Sequence, residues 1–278
     1  MPHRSTMAAT SRFVPGLGSI CPLGLATRGN TTLDAEDVLM AVSRGVNYLN
    51  WCGHPDGMCE AIGRLGSRRS EVCVAIQFSA RTSEEARNEL DEALRALKTD
   101  YVDVATYYYV EHDEEWDTIV SPGGAAQVLE QARSKGTVRA IGLTSHQRRL
   151  ASRCAETGRL DLLMIRYNAA HRGAEEDVFP VTRRLDLPVV AFTCLRWRTL
   201  LQQTSEDPPG FSVPPAEDWY RWVLQSQDVS VALMAPDGQQ ELLRNLAILD
   251  DARSLTEQSR RVLTEHGDRV RRQSRPFP

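Results

Sequence analysis

The chain has 278 residues and a net charge of −4, enough for one large core or two smaller domains. That charge gives no general attraction to nucleic acid or anionic membranes, and no apolar run approaches the roughly 20 residues needed to cross a bilayer. The six cysteines (21, 52, 59, 73, 154 and 194) form no CxxC pair, which points to reduced thiols in a cytoplasmic protein.

Residues 1–12, "MPHRSTMAATSR", lack the apolar segment of a secretory leader and read as a disordered tail. "LGSICPLGLAT" (17–27) supplies a first strand, and "AEDVLMAVSRG" (35–45) a helix closed by Gly45. "VNYLNW" (46–51) and "EVCVAIQF" (71–78) are the next strands. "SEEARNELDEALRALK" (83–98) is a helix with Ser83 as N-cap and Leu90, Leu94 and Leu97 at helical spacing.

Strands follow at "YVDVATYYY" (101–109), "VRAIGLT" (138–144), "LDLLMIRY" (160–167), "LPVVAFT" (187–193) and "VSVALMA" (229–235). "GGAAQVLEQARSKG" and "QQELLRNLAIL" read as further helices. Apolar strands alternating with helices imply parallel pairing with both faces covered, and eight such units suit one (β/α)8 barrel over residues 13–278. The longest irregular insert is 196–215, on the seventh loop. The basic end "RVRRQSRPFP" reads as a solvated tail.

"LDEALRALKTDYVDV", "GTVRAIGLTS" and the frame "RGVNYLN…EAIGRLG" resemble the aldo-keto reductases. So do "LDLLMIRYNAAHRGAEEDVFP" and "VVAFTCLRWRTLL", and the likeness covers roughly residues 15 to 250. It implies an Asp–Tyr–Lys–His tetrad, but the matching positions hold Asn50, Pro55, Gln77 and Tyr108. In the family the Tyr protonates a carbonyl while a nicotinamide delivers hydride. Gln77 has no charge to act on a phenol, and Pro55 has no proton to give. Where the family holds a nicotinamide, this chain offers Thr144, Ser145 and Met164, with Phe192 to stack. At the last strand–helix junction Asp237 is expected to cap the helix and repel a phosphate, leaving Asn245 and Arg196 as partial matches. No cofactor is therefore favoured, although NADPH is possible through Phe192, Ser145 and Asn245.

Active sites of such barrels lie at the C-terminal strand ends. His54, His112, His146 and His171 follow strands, with Asp56, Glu111, Arg166, Arg172, Arg196 and Trp197 on the same face. Alternation aims Arg166 and Asn168 into the mouth, where a guanidinium calls for an anionic partner. Each residue also has a plain structural role open to it. Asp56 can end a turn with Gly57, His146 can cap a helix, and Glu111 with His112 can be an acidic loop. His171 and Arg172 can pair Glu175 or Glu176, and Trp51 and Trp197 can be packing. No HxH or HxxxH pair supports a metal site.

The expected function is a redox-neutral enzyme, performing elimination, hydration, isomerisation or aldol-type chemistry on a small oxygenated substrate, with or without an anionic group. His54 or His146 would be the base beside Asp56, with Tyr108 as acid. Asn50, Trp51, Gln77, Arg166, Asn168, His171, Arg196 and Trp197 would bind the substrate. The alternatives are a divergent NAD(P)H-dependent oxidoreductase and a non-catalytic binding protein. Partners are small molecules, not nucleic acid or membrane, and the oligomeric state is left open.

Overall fold

The computed structural model describes residues 11–27, 32–251 and 253–273. A short hairpin, β1 (Arg12–Val14) and β2 (Gly18–Ile20), precedes eight barrel strands. These are β3 (Leu23–Ala26), β4 (Tyr48–Trp51), β5 (Cys73–Phe78), β6 (Val102–Tyr107), β7 (Val138–Ser145), β8 (Leu162–Arg166), β9 (Val189–Phe192) and β10 (Val229–Met234). Each pairs parallel with the next in sequence, and β10 returns to β3 to close the barrel. The (β/α)8 architecture is the one the alternating pattern implies.

The helices are α1 (Ala35–Ser43), α2 (Gly57–Arg64), α3 (Ser83–Leu97), α4 (Asp113–Val120), α5 (Ala125–Lys135) and α6 (Arg148–Glu156). They continue as α7 (Ala174–Asp177), α8 (Phe179–Leu185), α9 (Ala216–Leu224), α10 (Gln239–Asp250) and α11 (Glu257–Gln273). Their starts follow from capping. Asp34 caps α1 in a reciprocal box with Asp37, and Thr82, not the expected Ser83, caps α3 in a box with Glu85.

Two apolar layers result from strand alternation. Inside the barrel, Tyr48, Cys73, Ala75, Val104, Leu162 and Val231 pack together, and Val14 and Ile20 of the hairpin close the lower end. Outside it, Leu49, Val74, Ile76, Leu143 and Leu163 meet the helices. Burying such a side chain contributes roughly 1.5–3 kcal/mol, which is why both faces of the barrel strands are largely apolar away from the C-terminal mouth. Gly142 sits on the inner face because a Cβ there would stand 2.8 Å from Leu162 Cδ1.

Both ends of the chain differ from expectation. Arg12, placed in the tail, opens β1, and its Nη2 donates to Leu224 O at 2.6 Å. Residues 1–10 of that expected tail lie outside the described residues. The basic end is helical through Gln273, with Arg269 and Val270 buried, and residues 274–278 lie outside the described residues. Helix α11 packs on the loop after β8: a Cβ at Gly267 would stand 2.5 Å from Ala169 C, and Arg172 reaches Asp268 at 2.8 Å. Arg172 thus pairs with Asp268 and not with Glu175 or Glu176. Asp207, from the insert, receives His266 at 3.0 Å and Arg269 at 2.7 Å. No helix among the described residues is long and apolar enough to cross a membrane.

Candidate active site

At the C-terminal end of the barrel the inward positions of successive strands surround a cavity of ≈ 160 Å³. Asn50 of β4, Gln77 of β5, Thr144 of β7, Met164 of β8, Phe192 of β9 and Leu233 of β10 form its inner wall. The loops add Cys52, Tyr109, Thr193, Trp197 and Arg198. Polar capacity is left in these walls. Asn50 Nδ2 donates to Cys52 Sγ at 3.6 Å, while Asn50 Oδ1 and Thr144 Oγ1 are buried with no hydrogen-bond partner among the described residues. An unmet buried polar group costs about 1–3 kcal/mol, so such atoms are suited to a ligand.

The tyrosine run departs from strand alternation. Strand β6 stops at Tyr107, Tyr108 N–H donates to Phe78 O at 2.9 Å, and Tyr109 takes φ 45°, a left-handed conformation that disfavours a side chain. That turn brings Tyr109, not Tyr108, to the cavity. Its ring lies between Tyr108, 3.9 Å away and stacked, and His146, 4.5 Å away, with Phe192 at 6.4 Å. Arg81 Nη2 fixes the backbone from behind by donating to the carbonyls of Tyr108 (2.8 Å) and Tyr109 (3.2 Å). Nothing in a YYY run distinguishes its second ring from its third.

His146 reaches Glu111 through its ring, Nδ1 to Oε1 at 3.3 Å, and through its N–H at 2.8 Å. Burial raises the Glu111 carboxyl, but the bonds and charge from His146 and the bond from Gln147 outweigh it and hold it below the usual carboxylate range. The cap of α6 is Gln147, not His146.

Most of the expected acid–base set is dispersed. His54 is exposed, and its carbonyl accepts Trp51 Nε1 at 2.7 Å. Trp51 is buried in the outer layer against the helices. Asp56 is the N-cap of α2, accepting Cys59 N–H at 2.9 Å and Thr27 Oγ1 at 2.5 Å. Ser145 is buried and bonds Gln147 N–H at 2.9 Å. Asn168 is a structural strut, with Nδ2 donating to Thr193 O at 2.8 Å and Oδ1 accepting Ala170 N–H at 3.0 Å. Trp197, half-exposed, and Phe192 do line the cavity, as do Asn50 and Gln77.

Arg166, Arg196 and His171 stand behind the wall and do not line it. Burial lowers the Arg166 guanidinium, and the charges of Arg196 and Arg148 lower it further. Burial likewise, with Arg166 and Arg196 next, pushes His171 down to about 3, so its imidazole is neutral near pH 7. Arg196 belongs to a strained run in which Arg196, Trp197 and Arg198 take φ 50°, 53° and 67°. Left-handed backbone costs roughly 1–2 kcal/mol per side-chain-bearing residue. Here the turn is held by Arg196 N–H to Thr193 O (2.8 Å) and Thr199 Oγ1 to Arg196 O (2.5 Å).

At the start of α10, Asp237 does not cap the helix as expected. The N-cap is Gly238, and Asp237 Oδ1 instead accepts Thr32 Oγ1 at 3.2 Å. Glu241 takes the Asp237 N–H at 3.1 Å, so that helix start is still acidic. Asn245, one turn on, is fully buried, and neither atom of its amide has a hydrogen-bond partner among the described residues.

Residues 23–213 match the model of the aldo/keto reductase family. The chain belongs to the aldo/keto reductase family. An NADH-specific methylglyoxal reductase of Escherichia coli is 24% identical over 145 residues, which is 52% of this chain and 43% of that protein. This chain therefore matches less than half the length of that relative. Two solved structures share the fold. An aldo-keto reductase from Bacillus halodurans (holo form) has a TM-score of 0.71 at 18% identity, covering 92% of this chain and 96% of its own. One from Klebsiella pneumoniae in complex with NADPH has a TM-score of 0.72 at 17% identity, covering 93% and 95%.

The expectation of redox-neutral chemistry is overturned. The matched relatives are an NADH-specific methylglyoxal reductase and an aldo-keto reductase in complex with NADPH, and the acid–base set that motivated a lyase or isomerase is not assembled: His54 faces solvent, Asp56 caps a helix and Tyr109, not Tyr108, lines the cavity.

Proposed function

We propose that this member of the aldo/keto reductase family is an oxidoreductase that uses a nicotinamide nucleotide to reduce the carbonyl of a small molecule. The observation that carries it is the cavity at the barrel mouth, where Phe192 presents a ring and Asn50 Oδ1 and Thr144 Oγ1 present unmet polar atoms. A flat ring bearing a carboxamide fits such a wall. Asn245, with a whole buried amide to satisfy, fits a partner that both donates and accepts. The acidic start of α10 suits the phosphates poorly, and weak affinity follows.

When bound, a dihydronicotinamide supplies a hydride equivalent. The chain's own residues do the rest. Ala26, Met164, Phe192 and Leu233 exclude water from the inner wall, which strengthens the few polar contacts there. Gln77 and Asn50 carry amide groups that orient a carbonyl without changing its charge. Trp197 and Tyr109 bound the outer side and limit the substrate to a small one.

Calorimetric titration with NADH and NADPH, followed by methylglyoxal reduction read as loss of dihydronicotinamide absorbance, tests this reading. Binding together with turnover supports it. No binding of either nucleotide at 1 mM, on the order of the weakest useful cofactor affinity, would remove it. The acidic start of α10 favours a second reading, a small-molecule-binding protein without turnover, and binding without turnover would select that one.

A further inference from the structure

Reducing a carbonyl leaves negative charge on its oxygen, so the cavity must also supply a proton. Four side chains of its wall carry a hydrogen acidic enough to consider: Cys52, Cys194, Tyr109 and Tyr220. Cys194 is buried, bonded to Ala191 O at 3.5 Å and pushed up to about 12 by that burial. Tyr220 is buried and raised well above its ordinary value by burial first, then by Cys194 and Glu241. Cys52 turns back to its own strand, Sγ to Asn50 O at 3.8 Å. Tyr109 is the remaining acid.

Resting on the reading above, we propose that Tyr109 is the proton donor, placed at the end of β6 by its left-handed backbone. Three observations give it the fixed geometry a general acid needs. Its ring is clamped between Tyr108 and His146. Its carbonyl and that of Tyr108 are held by Arg81, itself paired with Glu115 at 3.2 Å. Its φ of 45° is strain retained at a cavity wall, which is where such strain belongs to function.

The step balances. A bound dihydronicotinamide would supply the hydride, two electrons with a proton, to the carbonyl carbon and would be oxidised to the nicotinamide cation. The carbon–oxygen π pair moves to the oxygen, the Tyr109 O–H bond breaks, and its proton passes to that oxygen to give the alcohol. The phenolate recovers a proton from water. Arg81, His146 and Tyr108 act through Tyr109 and are positioning residues.

The test compares wild type with Tyr109→Phe, Tyr108→Phe and Cys52→Ser, reading kcat for methylglyoxal and the nucleotide dissociation constant from quenching of indole fluorescence. Tyr109→Phe is expected to lower kcat about 100-fold or more and to leave the dissociation constant within about threefold, since it removes one hydroxyl. The wild-type loss of kcat at alkaline pH is expected to vanish in it. Tyr108→Phe, which keeps the stacking ring, and Cys52→Ser, which alters the wall without removing the Tyr109 hydroxyl, are each expected to lower kcat at least about tenfold less than Tyr109→Phe does. If Tyr109→Phe proves too unstable to assay, 3-fluorotyrosine at 109, a stronger acid, is expected to move the alkaline limb to lower pH. An active wild type with an equally active Tyr109→Phe, an unmoved limb, or loss of activity on Cys52→Ser overturns the assignment and leaves the oxidoreductase reading standing. A wild type that binds nucleotide and turns nothing over removes both.

Discussion

Arg198 Nη1 donates to Glu241 Oε2 at 2.7 Å, so the guanidinium lining the cavity is neutralised by a carboxylate in the first turn of α10. Glu241 is buried and also takes the Asp237 N–H. The positive end of the helix dipole is thus already answered by the protein's own charge.

Glu241→Gln keeps an acceptor for the Asp237 N–H, removes one negative charge and releases Arg198 from its ion pair. Removing a like charge near a phosphate at intermediate dielectric amounts to about 1 kcal/mol, so NADPH should bind roughly three- to tenfold more tightly. Calorimetry on both proteins at matched salt checks this. Equal or weaker binding by Glu241→Gln would show that no phosphate approaches α10.

Asp207 joins the insert to α11. Burial raises its carboxyl, yet the Thr204 N–H, His266 and Arg269 together outweigh burial and bring it to about 2. Because the folded value lies below the unfolded one near 3.8, the stabilisation is complete above that value and is lost as pH falls towards about 2. Asp207→Asn leaves Arg269 and His266 buried without their anion and should destabilise by about 3 kcal/mol at pH 7. Urea unfolding at pH 7 and pH 3 checks it; a loss under 1 kcal/mol at pH 7 would mean the contact is incidental.

The barrel was legible because both faces of each strand had to be apolar, a pattern that periodicity reports directly. The hairpin was not: Gly18–Ile20 and Leu23–Ala26 form one apolar run, and only three dimensions show that the first half plugs the barrel end while the second joins it. Among the site residues, the resemblance to the aldo-keto reductases picked out Asn50, Gln77 and Phe192, which line the cavity from within strands. It picked out Tyr108 where the left-handed backbone of Tyr109 brings Tyr109 to the cavity instead, and the local pattern at Asp56 fitted an Asx cap as well as a site residue. Arg166 shares the register of Phe192 but is not among the residues that line the cavity.

His171 offers a direct test of the charge cluster beside the cavity. Its value of about 3 comes from burial first and then from Arg166 and Arg196. A folded value below the unfolded 6.5 makes the fold lose stability as pH drops from about 6.5 towards 3. Arg166→Met removes the leading charge, so the His171 imidazole should titrate at higher pH. Histidine carbon NMR, assigned with His171→Gln, follows it. An unchanged titration would place the guanidinium elsewhere in solution and remove Arg166 from the neighbourhood of the site.

Asn245 sets stability against binding. Its amide is fully buried in α10 and neither polar atom finds a partner among the described residues. A buried amide with nothing to bond costs about 1–3 kcal/mol, and an apolar side chain of similar shape avoids that cost. Asn245→Leu should therefore raise stability by about 1 kcal/mol in urea unfolding at pH 7. Retaining an amide against that gradient makes sense when a ligand completes it, so the same change should weaken nucleotide binding about tenfold, the loss of one to two buried hydrogen bonds. Gain of stability with unchanged binding would leave Asn245 outside the site. Loss of stability would show that water or a shifted neighbour already satisfies the amide, and that the cavity wall alone must account for whatever affinity is measured.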